Sequence, residues 1–135
     1  MKTIFVYDCK IINSELLVVV SKTAKEIKKW VEKRGSKGIK NVFKDNECLN
    51  DFKEAIKKHP AFVIAFKNKD ILYYILYLEK WENNWEWINI LNHEIVHYKQ
   101  YQFKDRGIKN ENEFEAYFIE TVSSELRQIL NKKIK

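Results

Sequence analysis

Two long helical stretches near the C-terminal end constrain this chain most. From about Asn84 to Phe103 the sequence reads as one long helix, ended by Arg106-Gly107. A second, capped by Asn110 or Asn112, runs to about Asn131. Upstream, Thr3 to Ile12 and Leu16 to Val20 are rich in β-branched and aromatic residues and flank Asn13-Ser14-Glu15, the pattern of a hairpin. Thr23-Ala24-Lys25-Glu26 is a capping box, followed at helical spacing by Ile27, Trp30 and Val31, and Gly35 ends that helix. Ser36 to Leu49 reads as polar and irregular. Asn50 or Asp51 opens a short helix carrying Phe52, Ala55 and Ile56, which Pro60 stops. Ala61 to Phe66 and Ile71 to Leu78 read as strands around a turn at Asn68-Lys69-Asp70. The expected fold is α+β: a small N-terminal mixed sheet with short helices, then two long C-terminal helices, in a single domain spanning 1–135.

Composition narrows the function classes. A hydrophobic share of 45%, with three Gly and one Pro, suits a folded core and argues against a disordered or linker segment. The first residues lack the long apolar stretch of a signal peptide, and Asp8 and Lys10 interrupt them. The longest apolar run, Ile71 to Leu78, is strand-sized, so no membrane span is expected. Two cysteines, Cys9 and Cys48, fit a reducing compartment. Together these point to a cytoplasmic protein. The net charge is +6, yet of 25 basic residues only Arg34, Arg106 and Arg127 are arginine. Base reading and bidentate phosphate contacts favour arginine, so specific nucleic-acid binding is not expected.

The chemistry concentrates in His93-Glu94-Ile95-Val96-His97. Four residues turn a helix by about 40° beyond one full turn and advance it by about 6 Å, so both imidazoles project from one face. Two such nitrogens can hold one zinc ion at about 2.0–2.1 Å. Glu94, directly after the first histidine, is placed to reach a water on the metal rather than the metal. Zinc brings the pKa of its water toward neutrality, and the carboxylate takes the proton as that water attacks.

Catalytic zinc usually has a third protein ligand. Asn110-Glu111-Asn112-Glu113-Phe114-Glu115-Ala116-Tyr117 opens the last helix, and here the sequence resembles the gluzincin-type peptidases. In these, HExxH is followed on a later helix by a glutamate ligand, a small residue three positions on and a polar residue, often Asp, four positions on; the matches are Glu113, Ala116 and Tyr117. The chain also looks like the small metallopeptidases of phages and mobile elements, which share its length and a Glu-x-x-x-Tyr segment after HExxH. The specific part of the likeness spans about Leu91 to Val122. It implies a minimal zincin-like fold with Zn2+ held by His93, His97 and Glu113. Tyr117 stands where Asp is commoner.

Read from the residues alone, Glu113, Tyr117, Glu120 and Ser124 share one helical stripe, with small Ala116 and Ser124 allowing close helix approach. Glu115 is the rival ligand, set among Phe118, Ile119, Val122 and Leu126, where a buried carboxylate needs a cation. Asn110 with Glu113, or Asn112 with Glu115, could instead be a capping pair. Cys48 is a further alternative, since Glu47-Cys48-Leu49 faintly resembles the cysteine motif of peptide deformylases. Glu120 or Asn89 could hydrogen-bond a ligating imidazole. Tyr117, and more weakly Tyr98 and His59, could donate to a developing oxyanion. Trp81, Trp85, Trp87 and the tyrosines at 73, 74 and 77 could line a cleft or simply fill the core.

The expected function is therefore a zinc-dependent hydrolase acting on a peptide or protein, with Glu94 as general base. An edge strand, Ala61–Phe66 or Ile71–Leu78, could pair with extended substrate. The alternative is a non-catalytic metal-binding or regulatory interaction protein of mobile-element origin. Oligomeric state is not legible.

Overall fold

The computed structural model describes residues 2–44, 46–68, 71–109 and 111–134. Among them run β1 (Thr3–Cys9), β2 (Ser14–Val20), α1 (Ala24–Arg34), α2 (Lys37–Lys44), α3 (Asn46–Lys58), β3 (Ala61–Asn68), β4 (Ile71–Leu78), α4 (Trp85–Arg106) and α5 (Asn112–Lys133). The strands form one mixed sheet in the order β1-β2-β4-β3. β1 and β2 are an antiparallel hairpin, β2 and β4 run parallel, and β3 returns antiparallel on β4.

The central strands explain the layering. Leu16 to Val20 and Tyr74 to Leu78 are buried without interruption, as strands covered on both faces must be. Leu16, Val18, Val20, Tyr74, Leu76 and Leu78 point into a core shared with α4 and α5. Leu17, Val19, Ile75 and Tyr77 point the other way, toward α1, α2 and α3. The sheet is thus sandwiched between three short helices and two long ones. No helix among the described residues is long and apolar enough to cross a membrane.

Local signals act as expected at α1 and α4. The Thr23 hydroxyl accepts from Glu26 N at 3.2 Å while the Glu26 carboxylate accepts from Thr23 N at 3.1 Å. Asn84 caps α4 by accepting from Trp87 N at 3.0 Å, and Gly107 closes it at φ 65°, a left-handed conformation that glycine adopts without strain.

Elsewhere the structure corrects the reading. The first hairpin turns over 10–13, not 13–15, with Asn13 at φ 49°. The stretch 36–49, expected to be irregular, holds α2 and the start of α3. Ile39, Val42 and Phe43 fall at i, i+3 and i+4 and are all buried against the sheet, so tertiary packing overrides the polar composition around them. At α5, Asn112 is the first helical residue, and Glu111 occupies the cap with no side-chain bond. Asn110, Lys69 and Asp70 lie outside the described residues. β4 is central, so only β3 of the two proposed substrate-pairing strands presents a sheet edge.

Candidate metal centre

α4 and α5 pack antiparallel beneath the sheet. Phe103 stacks near Phe114 and Phe118, and Tyr98 lies 6.0 Å from Phe118, centroid to centroid. Continued along the helices, this register brings Asn92, His93 and Val96 of α4 against Ala116, Ile119, Glu120 and Ser123 of α5, where they line one groove.

His93 lines this groove, and His97, one turn on, is exposed beside it. Their rings are perpendicular, and the two Nε2 atoms converge to 3.0 Å. The contact is a hydrogen bond between the rings, one Nε2 donating to the other. Two nitrogens bound tetrahedrally to one zinc ion would sit about 3.3 Å apart, so a metal taking that proton's place would need only a small opening of the pair. The Oε1 of Gln100 accepts from His97 Nδ1 at 3.2 Å. A proton on Nδ1 leaves a lone pair on Nε2, the tautomer a metal requires. Zinc therefore fits the histidine pair as far as two donors go.

Glu94 points away from solvent, 7% exposed. It shares a small cleft of about 260 Å³ with Asn89, Ile90, His93, Pro60 and Ala61, at the start of the edge strand β3. Burial pushes its carboxyl above the usual carboxylate range, and the positive fields of His93, His97 and His59 partly oppose that. All three histidines of the chain thus act on this one carboxylate. A carboxylate whose proton affinity is raised by burial holds a proton more readily than a solvated one, as a general base must.

The third donor is where sequence and structure diverge. Among the described residues, no group of three or more His, Cys, Asp or Glu side chains is arranged to hold a metal. Glu113 is exposed in the first turn of α5, beside Phe114, whose ring meets Phe103 rather than the histidines. Glu120 lies seven residues further along the helix, about 10 Å, and lines the groove with His93. Glu115 does have the cation its surroundings demand: it pairs with Lys99, itself 5% exposed. Cys48 packs with the core between α1–α3 and the sheet, so the sheet separates it from the histidines and removes the deformylase-like alternative.

The other candidates sort by contact. Tyr117 is 57% exposed. Tyr98 is fully buried, accepting from Gln102 Nε2, which also donates to Ser14 Oγ at 2.7 Å, so its role is architectural. Trp81 and Trp87 are in the core, with Trp81 Nε1 donating to Asn131. Tyr74 donates to Asp105, and Tyr77 packs on Phe62. Trp85, 80% exposed, lies at the groove. Sequence reasoning missed Asn92, Ser123 and Arg127 as groove residues. The signal was present, because 116, 119, 120, 123 and 127 form a helical stripe, but choosing it required knowing how α5 is rotated.

The Lys99–Glu115 pair gives a direct check. Glu115→Gln should leave a buried ammonium with a weaker partner and cost roughly 2–3 kcal/mol, below the full range for buried pairs because Glu115 is partly exposed. Any zinc the wild type carries should be retained. Thermal unfolding beside elemental analysis reads both, and loss of zinc would restore Glu115 as a ligand.

Compared with protein-family models, with curated proteins and with solved structures, the chain matches none.

Proposed function

We propose that this protein is a zinc-dependent hydrolase acting on peptides. The observation that carries the reading is the convergence of His93 Nε2 and His97 Nε2 to 3.0 Å beside the buried Glu94. His93 and His97 would hold the metal, with an α5 carboxylate as third donor. Glu120 is our choice for that donor over the sequence-expected Glu113, because it lines the groove that His93 lines. Bound zinc would supply Lewis acidity toward the scissile carbonyl and the attacking water. Glu94 takes a proton from that water on its carboxylate oxygen and returns it to the leaving nitrogen. Burial keeps Glu94 only 7% exposed, and a hydrogen bond from His97 Nδ1 to Gln100 Oε1 would hold His97 in the tautomer a metal requires. The free edge of β3, which begins in the Glu94 cleft, offers backbone groups for pairing an extended substrate.

A non-catalytic metal-binding or regulatory protein is the second reading, favoured by the lack of a pre-arranged third donor among the described residues. Metal content separates the two. Protein purified without added metal should carry about one zinc per chain, and His93→Ala should lose it. Glu120→Gln should weaken zinc in a competition titration with a chelating dye, and Glu113→Gln should not; the reverse result would give the ligand role to Glu113. No zinc bound in wild type, even after addition, would overturn the hydrolase reading.

A further inference from the structure

The groove beside the histidines has a second polar end. It extends from His93 between Trp85 and Ile88 of α4 and Ile119 of α5, with a volume of about 500 Å³. Asn92 and Ser123 line it near the level of His93, and Arg127 lines it about one turn farther from His97. These three carry buried polar atoms without a hydrogen-bond partner: Asn92 Oδ1, Ser123 Oγ and Arg127 Nε. Ser123 is only 6% exposed. Buried donors and acceptors are nearly always satisfied. Ser123 Oγ and Arg127 Nε are donors that a carboxylate would match, whereas Asn92 Oδ1 is an acceptor and needs a donor of its own.

Arg127 decides the sign of what belongs there. Among the described residues no carboxylate pairs with it, although it is one of three arginines in the chain. Glu120, the groove's acidic residue, is seven residues back along α5, about 10 Å away. A half-buried guanidinium presents a fork of N–H donors matched to a carboxylate. We infer that this end of the groove is a carboxylate subsite, in which Arg127, assisted by the Ser123 hydroxyl, receives a carboxylate of the peptide substrate.

This inference rests on the peptide-hydrolase reading and specifies its substrate. By the α4–α5 register, His93 is roughly level with Ser123, and Arg127 is one turn beyond, about 6 Å. An extended peptide advances about 3.3 Å per residue. The recognised carboxylate is therefore one or two residues from the bond to be cut. Trp85, Ile88 and Ile119 give the intervening side chain an apolar surface. Two sources supply such a group: a free C-terminus, which makes the protein trim one or two residues from peptide ends, or an Asp or Glu side chain within a longer chain.

Binding of short peptides tests this apart from turnover. Trp85 lies in the groove, so tryptophan fluorescence reports occupancy, with Trp85→Phe as the control. The probes are three N-acetylated pentapeptides of Ala and Phe: one with a free C-terminus, one C-terminally amidated, and one amidated with a penultimate Glu. The protein is zinc-loaded Glu94→Gln, so that the probes persist. A carboxylate-bearing peptide should bind about ten- to a hundredfold tighter than the neutral one, and which of the two does so identifies the source. Arg127→Gln should erase the difference, and Arg127→Lys should keep part of it. Equal binding of all three peptides, no binding of any, or a preference unchanged in Arg127→Gln overturns the inference. Carboxylate-selective binding by a protein that hydrolyses no peptide would uphold the subsite and remove the hydrolase reading instead.

Discussion

Glu94→Gln is expected to reduce peptide hydrolysis by about a hundred- to ten-thousandfold while zinc remains at wild-type stoichiometry. The magnitude is that of a positioned general base. The amide matches the carboxylate in shape and fits the same cleft between His93 and Pro60, but it cannot accept the proton of an attacking water. Metal retention follows because Glu94 is not among the proposed donors. Stability should hold or rise, and the sign can be worked through. Burial raises the Glu94 pKa in the folded protein. The folded state therefore binds its proton more tightly than the unfolded chain does. The resulting destabilisation develops as pH rises through the unfolded pKa, and it persists once the folded group ionises. At neutral pH the metal-free wild type bears that cost and the metal-free Gln variant does not. Mass-spectrometric assay of a peptide mixture and elemental analysis of the zinc-loaded protein, with thermal unfolding of the metal-free protein, check all three statements. A variant that hydrolyses at the wild-type rate sinks the assigned base, and one that loses zinc moves Glu94 into the ligand set.

The parts of this structure legible in the sequence are those governed by local contacts. The Thr23–Glu26 capping box, the start of the long helix near Asn84, the Gly107 stop and the two histidines on one helix face each need only a few neighbouring residues, and each forms. What required long-range pairing was not legible. Nothing local says that β2 and β4 are neighbours, or that β3 is left at the edge, since those contacts join segments more than fifty residues apart. The helix α2 was hidden because Gly38, Lys40 and Asn41 dilute Ile39, Val42 and Phe43, whose fit appears only in the folded core, where Phe43 meets Phe52 and Phe66. The carboxylates of α5 are the instructive case. Glu113, Glu115, Glu120 and Glu125 look alike in sequence, yet Glu115 meets Lys99, Glu125 accepts from Tyr7 at 2.6 Å, and Glu120 faces the histidine groove. Periodicity gives the stripes of a helix but not the rotation that selects one.

That rotation is held by Phe118, so Phe118→Ala should affect stability and metal affinity together. The ring is fully buried, 5.5 Å from Phe103 and 6.0 Å from Tyr98 by centroid, in the core that joins α4 and α5 to the sheet. Truncating a buried phenylalanine removes its apolar transfer and leaves a cavity, costing about 3–5 kcal/mol. That is a large share of the 5–15 kcal/mol typical of a whole domain. The loss would reach the proposed metal site because the groove has one wall from each helix: His93 from α4, Glu120 and Arg127 from α5. If Glu120 is a zinc donor, a looser α4–α5 seam weakens zinc binding without touching either histidine. Phe118→Leu, which keeps most of the volume, should recover much of both. Urea unfolding of the metal-free proteins gives the stability change, and chelator competition gives the zinc affinity. If Phe118→Ala destabilises as expected but binds zinc as tightly as wild type, the metal depends on α4 alone, and the third donor does not come from α5.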